Sequence, residues 1–387
     1  YKMKKHILLC AALALSSFGL PSCSDILDQK PLDSYTDTAV WGDLSLAESF
    51  LNYCYLRVEA ENTNGVMFCN YTDETYHMHD YGTSTYTQGR ASCDNYNTGW
   101  TEGKGNTWSH YYGGIKLCNQ LLEDIMDTPA NTDSEKEWKN QIIGQGYFLR
   151  AYYYHMLYSV YGRIPLIDHT YDLDSEFKEE RADMDDVADF IVADCDKAAE
   201  LLPTVYKDAS DFGRATKGAA LALKGRVLLY KASPLFGTPS REKWQAAADA
   251  NKAVIDMNIY SLKQVSNSDE YADLFFDSKN PEVIFEKLYD EKGIAGSSAS
   301  LVMQAPAGPG NGYEGWSTWQ PTYEIVELFQ NADGTPYKPA ETKPFTILQT
   351  TIDPDSGEAT QKEVTIQASD VNPWEGREIR LKANILY

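Results

Sequence analysis

The chain is 387 residues long, with 27 Tyr, 8 Trp and a formal net charge of −23. That length can bury a large core, as one large domain or two or three ordinary ones. An acidic field of that size opposes binding to nucleic acid or to anionic lipid surfaces. Tyrosine and tryptophan join apolar area to a polar tip, which suits wet binding surfaces as well as cores. The seven cysteines, Cys10, Cys23, Cys54, Cys69, Cys93, Cys118 and Cys195, form no C-x-x-C pair and fall at no zinc-finger spacing, so no structural zinc site is expected. Cys69 and Cys93 fit either a loop disulfide in an oxidising compartment or two plain buried thiols.

From the N-terminus, Lys4 and Lys5 precede a short apolar run from Ile7 to Phe18, the pattern of a secretory signal peptide over residues 1–22 and too short for a membrane span. Leu20-Pro-Ser-Cys23 resembles a bacterial lipobox, which implies cleavage before Cys23 and lipidation of that residue; ordinary cleavage near Ser22 is the alternative. Acyl chains contribute about 0.8 kcal/mol per buried CH₂, so several of them make a stable anchor. Residues 23–42, polar and holding Pro31, are expected to form a tether, followed by one domain over 43–387.

Asp43 has the place of an N-cap, and Ala47, Phe50, Leu51, Cys54, Tyr55 and Val58 continue it as a helical stripe. Periodicity then lapses from Glu59 to Gly105, a long aromatic segment of the kind that carries function. It returns with Trp108, Tyr111, Ile115, Cys118, Leu122 and Ile125 and stops at Thr128-Pro129. A central helix is expected from about Ser134, with Ile143, Tyr147, Ala151, Tyr154, Tyr158 and Tyr161 on one stripe. Gly144 and Gly146 inside it cost about 1 kcal/mol each against alanine and predict a close approach by another backbone. Gly162 ends that helix, and Pro165 extends the chain.

An acidic loop runs to Glu180. A further helix carries Val187, Phe190, Ile191, Cys195, Ala198 and Leu202 and closes at Pro203. Thr216 caps another, with Ala219, Ala220, Leu223, Val227 and Tyr230 inward. Ser240 caps the last clear one, with Trp244, Ala247, Ala248, Asn251 and Val254 on its packed face. Six helices joined mostly by turns predict a mainly α fold of TPR-like stacked helical hairpins over about 43–258, without a literal 34-residue repeat. Over about 259–387 the pattern shifts to loops and short strands. Val283 to Glu286 reads as a strand, Glu324 to Phe329 as a short helix, and Thr346–Ile352 with Glu363–Ile366 as a hairpin around Asp353-Pro-Asp-Ser-Gly357.

Taken together, Cys23-Ser-Asp-Ile-Leu-Asp28, Trp108 through Asn119-Gln-Leu-Leu, Arg150-Ala-Tyr-Tyr with Tyr161-Gly-Arg-Ile-Pro-Leu, Asp189-Phe-Ile to Leu202-Pro, Gly213-Arg-Ala-Thr-Lys-Gly with Ala222-Leu-Lys-Gly-Arg, Asn280-Pro-Glu-Val-Ile-Phe-Glu286 and Asn372-Pro to Arg377 resemble, in order and spacing, the SusD/RagB family of outer-membrane nutrient-binding lipoproteins of Bacteroidetes. The resemblance implies four TPR-like helix pairs and a loop-rich side with the ligand site. It also implies a surface-exposed, lipid-anchored protein that hands oligosaccharides to a SusC-like TonB-dependent transporter, with neither chemistry nor a cofactor of its own. Relatives continue past the match to Asn384-Ile-Leu-Tyr387, so the chain is expected to be truncated at its C-terminus.

A sugar ring has an apolar face and a hydroxyl rim, so its site wants flat aromatic platforms edged by Asn, Asp or Arg. Two loops offer them: Asp80-Tyr81 with Arg90 and Tyr96-Asn97-Thr-Gly-Trp100, and Asn311-Gly-Tyr313 through Trp316 and Trp319-Gln320. Trp100, Tyr313, Trp316 and Trp319 are the candidate platforms, Tyr96 accompanies them, and Asp80, Arg90 and Asn97 are polar partners. Packing of the loops onto the scaffold is the competing role for these rings, whereas Trp108, Trp244 and the Tyr152-Tyr153-Tyr154 run are assigned to packing. His77-Met-His79 lacks a placed third metal ligand. No G-x-S-x-G, P-loop or H-E-x-x-H occurs. A surface glycoside hydrolase, with Asp73 and Glu74 as the first acid pair to inspect, and a peptide-binding uptake lipoprotein are the alternatives.

Overall fold

A computed structural model describes residues 37–58, 72–77, 107–172, 174–288, 319–341, 343–352, 359–368 and 372–385. The signal peptide, Cys23, most of the tether, and Cys69 and Cys93 lie outside them. A helical turn, Asp37–Val40, falls within the stretch assigned to the tether, and Trp41 already packs edge-on against Phe50 at 5.0 Å.

Six helices make the scaffold: α1 (Leu44–Tyr55), α2 (Thr107–Asp124), α3 (Asp133–Tyr161), α4 (Met184–Leu201), α5 (Lys217–Ala232) and α6 (Arg241–Asp256). From α2 to α6 each helix packs on its neighbour in the chain, and α1 lies against α2 and α3. This is the mainly α, TPR-like row of hairpins that the periodicity predicts. Their starts follow from side-chain caps. Asp43 accepts from the amides of Ser45 at 2.7 Å and Leu46 at 3.3 Å, and Thr216 and Ser240 cap α5 and α6. Thr132 and Glu135 form a reciprocal capping box on α3; such caps contribute about 1 kcal/mol each.

The middle of α3 is enclosed on every side rather than along one stripe. Phe148, Leu149, Tyr153, Tyr154, Leu157 and Tyr158 are all buried, while Ile143, Tyr147 and Tyr161 of the expected stripe are half-buried. α1, α2, α4 and α5 all touch this helix, and no single face can serve them all. Its glycines admit side chains, not the expected backbone. A Cβ on Gly144 would lie 3.0 Å from Leu201 and Leu202, and one on Gly146 3.0 Å from Leu121. Gly162 ends the helix at φ 65°, a conformation that glycine adopts without strain.

A buried polar network crosses the bundle. Arg150 grips Asp194 through two bonds, Nε to Oδ2 at 2.7 Å and Nη2 to Oδ1 at 2.9 Å, and gives Nη1 to Asn119 Oδ1 at 2.9 Å. Burial raises the Asp194 carboxyl, and Arg150 opposes that push. The Asn119 amide donates to the carbonyls of Ile167 and His169, both at 3.0 Å. Tyr112 donates to Pro165 O at 2.7 Å and Tyr154 to Ile167 O at 2.9 Å. The extended stretch after Pro165 thus hangs on side chains of α2 and α3, with Asp194 of α4 holding Arg150. Elsewhere, Arg214 joins α1 to the turn before α5, pairing with Glu48 at 3.2 Å and Asp211 at 2.8 Å.

Two further assignments change. Val283 to Glu286 is irregular rather than a strand, because no partner strand lies beside it among the described residues; Phe285 instead packs on Phe148 at 4.9 Å. Trp244 is 44% exposed, with Ala248 exposed as well, and the residues α6 buries are Ala247 and Ala250. α6 packs chiefly on α5, with Lys243 reaching Asp185 of α4 at 2.9 Å, so a narrow alanine strip suffices for its apolar contact. Trp108 does pack, edge-on against Tyr161 at 5.1 Å.

The C-terminal part holds α7 (Ser268–Asp273), α8 (Tyr323–Leu328), α9 (Ile379–Asn384) and two small sheets. β1 (Thr75–His77) pairs antiparallel with β2 (Trp319–Pro321), and β3 (Lys343–Ile352) with β4 (Ala359–Ala368), the hairpin expected there. A second small core joins α8 to α9 through Val326, Leu381 and Ile385, and Arg377 ties it by donating to Val326 O and Phe329 O, both at 2.6 Å.

Candidate functional site

Of the eight candidate ligand-binding residues, Asp80, Arg90, Tyr96, Asn97, Trp100, Tyr313 and Trp316 lie outside the described residues. Trp319 lies within them, in β2. It occupies the end of the ladder: the register runs Thr75 to Pro321, Tyr76 to Gln320 and His77 to Trp319. Because the strands are antiparallel, the chain departs beyond His77 into residues 78–106 and arrives at Trp319 from residues 289–318. Both aromatic-rich segments therefore meet the fold at one paired position, although His77 and Trp319 are more than two hundred positions apart in the chain.

The ladder is clamped from below. Thr322 N donates to Glu74 O at 3.0 Å, the Thr322 hydroxyl donates to Asp73 O, and the same oxygen accepts from Ile325 N at 3.2 Å as the cap of α8. Asp73 and Glu74 thus serve through their backbone carbonyls, and their side chains project into solvent. An exposed pair of carboxylates lacks the apolar enclosure that lifts a catalytic acid, so this pair offers no glycosidase site. Among the described residues no cluster of three His, Cys, Asp or Glu side chains is arranged to hold a metal ion.

Two clefts open among the described residues. One, of about 370 Å³, lies between α2 and the stretch 167–177 and is lined by Trp108, Tyr112, Lys116, His169, Tyr171 and Phe177 among others. The second, of about 310 Å³, lies between Phe148, Tyr152, Leu223, Arg226, Phe285 and Glu286, and burial raises the Glu286 carboxyl there. Periodicity could not find the first cleft, because Tyr171 and Phe177 stand in a loop that reads as acidic and solvated. The available signal was the presence of two large rings in such a loop.

A row of helical hairpins with a short ladder pairing β1 and β2 is the architecture set against known families. Residues 25–229, just over half of the chain, match the SusD-like family described as starch-binding and associating with the outer membrane, and residues 281–387 match the SusD family. The chain belongs to the SusD/RagB family of outer-membrane proteins.

Among its relatives, SusD-like protein P38 of Formosa agariphila is 24% identical over 345 residues, covering 83% of this chain and 62% of that protein. SusD-like protein P2 of the same organism is 25% identical over 383 residues, covering 92% of this chain and 66% of that protein. A crystal structure of a SusD-like protein from Bacteroides fragilis superposes with a TM-score of 0.68 at 25% identity, over 92% of this chain and 62% of that one. The chain thus spans under two thirds of the length of these relatives.

Proposed function

We propose that this chain belongs to a non-catalytic lipoprotein of the outer membrane that binds oligosaccharides and passes them to a SusC-like TonB-dependent transporter. The observation that carries the proposal is the His77 to Trp319 pair, which roots the segment bearing Asp80, Arg90, Tyr96, Asn97 and Trp100 beside the one bearing Tyr313 and Trp316. Flat aromatic rings are the platforms that the C–H faces of sugar rings need, and amide, carboxylate and guanidinium groups are the partners that their hydroxyls need. The starch-binding description of the matched family supports the same ligand class. Lipidation at Cys23 is the anchor this reading requires.

Calorimetric titration with a panel of soluble glycans tests the proposal. Binding by the wild-type chain that is weakened in Trp100→Ala and in Trp316→Ala is the expected result. A chain that binds no glycan, or that releases reducing ends on prolonged incubation, overturns it.

A further inference from the structure

Resting on the glycan-binding reading, we infer that the cleft between α2 and residues 167–177 is a separate carbohydrate subsite, built on the scaffold, that holds one pyranose ring. Its walls are aromatic on both sides. Trp108 and Tyr112, one turn apart on α2, lie with ring centroids 4.9 Å apart. Across from them His169, Tyr171 and Phe177 form a second run, with centroids 4.8 Å and 5.9 Å apart in succession. Phe177 is 60% exposed at the rim. A ring left open there, in a loop otherwise crowded with charge, adds nothing to the core.

The cleft is also held open by a fixed frame. The backbone of its far wall is pinned by Asn119 to the carbonyls of Ile167 and His169, by Tyr154 to both N and O of Ile167, and by Glu123 to Thr170 N at 2.8 Å and Thr170 Oγ1 at 2.6 Å. Asn119 is itself fixed by the buried Arg150 and Asp194. A rigid wall lowers the ordering cost of binding. A volume of about 370 Å³ lies at the small end of ligand sites and suits a sugar ring with part of its neighbour.

The polar groups sort the possible occupants. Lys116 reaches the cleft with an exposed side chain, and Arg181 lies over the Trp108 ring at 5.9 Å. Both are donors without acceptor capacity, suited to the oxygen-rich edge of a sugar stacked between rings. A phenylalanine side chain would fill the walls but offer these cations no acceptor at its edge, and a tyrosine only one phenol oxygen where a pyranose offers several. The occupant is therefore a pyranose, and whether Lys116 meets a hydroxyl or a carboxylate oxygen separates neutral sugars from uronic acids.

The experiment titrates the folded chain with maltoheptaose, cellohexaose, xylohexaose, hexagalacturonate and the tripeptide Gly-Tyr-Gly. The proteins compared are wild type, Phe177→Ala, Tyr171→Ala, Lys116→Met and Trp100→Ala/Trp316→Ala. Phe177 is exposed enough that its replacement leaves folding intact, which circular dichroism verifies. For a saccharide that binds wild type, Phe177→Ala and Tyr171→Ala are each expected to raise Kd about tenfold, the loss of one ring contact. The Trp100→Ala/Trp316→Ala chain is expected to keep a residual binding that Phe177→Ala abolishes. An effect of Lys116→Met confined to hexagalacturonate identifies a uronate, and an effect on the neutral sugars identifies a hydroxyl contact. Saccharide binding untouched by Phe177→Ala and Tyr171→Ala overturns the subsite while leaving the proposed function standing. Tripeptide binding lost in Phe177→Ala overturns the choice of ligand, and no saccharide binding at all overturns both readings.

Discussion

Replacing Asp194 by alanine strands the Arg150 guanidinium inside the bundle, where the two side chains are 6% and 3% exposed. The pair makes two bonds, at 2.7 Å and 2.9 Å, and Asn119 takes a third from the same guanidinium at 2.9 Å. Removing one member of such a pair leaves a desolvated charge and costs about 3–5 kcal/mol, whereas removing both members can be nearly neutral. Here the double replacement Asp194→Ala/Arg150→Met still takes a donor from Asn119 Oδ1, so about 1–2 kcal/mol of loss is expected to remain. Urea midpoints of wild type, both single variants and the double variant close the cycle, with the double variant more stable than Asp194→Ala. A second readout is amide exchange at Ile167 and Thr170, whose N–H groups bond Tyr154 Oη and Glu123; it should quicken in Asp194→Ala as the Asn119 tether loosens. A single-variant cost under about 1 kcal/mol, or a double variant no better than the sum of the singles, refutes the account of a buried, mutually dependent pair.

Other consequences follow from particular side chains. Burial first, and then the nearby Arg226, push His155 down from 6.5 to about 4, while the unfolded chain titrates near 6.5. Between those values the unfolded state holds a proton that the folded state refuses, so stability falls as pH drops through this window, by about 3 kcal/mol in full; His155→Leu should flatten that part of the stability profile. At Gly114 an added Cβ would meet the fully buried Tyr153 ring at 2.7 Å, so Gly114→Ala should lose about 1–2 kcal/mol despite better helix propensity. Gly113→Ala meets only the flexible Arg57 guanidinium at 3.3 Å and should be neutral or better by thermal melt. Arg377 donates to the carbonyls of Val326, Phe329 and Pro373 and stacks on Tyr337 at 3.6 Å. A lysine cannot span those acceptors, so Arg377→Lys should speed proteolytic cutting between α8 and β3 while leaving cutting within the α1–α6 scaffold unchanged.

The amino-acid order by itself determined the scaffold. Asp43, Thr216 and Ser240 stand where caps are needed, Gly162 and the Thr128-Pro129 pair stop helices, and apolar residues at steps of three and four fill the turns between; these are local effects of hydrogen bonding and backbone sterics, acting over a few residues. The β3–β4 hairpin was legible for the same reason, since its strands flank a turn-forming run. Where local pattern erred, the deciding partner was remote. Val283 to Glu286 has the composition of a strand but packs through Phe285 on Phe148, and Trp244 lies exposed because α6 packs on α5 through a narrow strip that buries Ala247 and Ala250. The pairing of His77 with Trp319, the pinning of the stretch after Pro165 by Asn119, and the cleft where Trp108 meets Tyr171 join residues tens to hundreds of positions apart. Such contacts leave no period in the sequence. They exist only once the helices have packed and their buried polar groups have found acceptors, so the tertiary structure alone decided that β1 pairs with β2 and where the stretch after Pro165 lies.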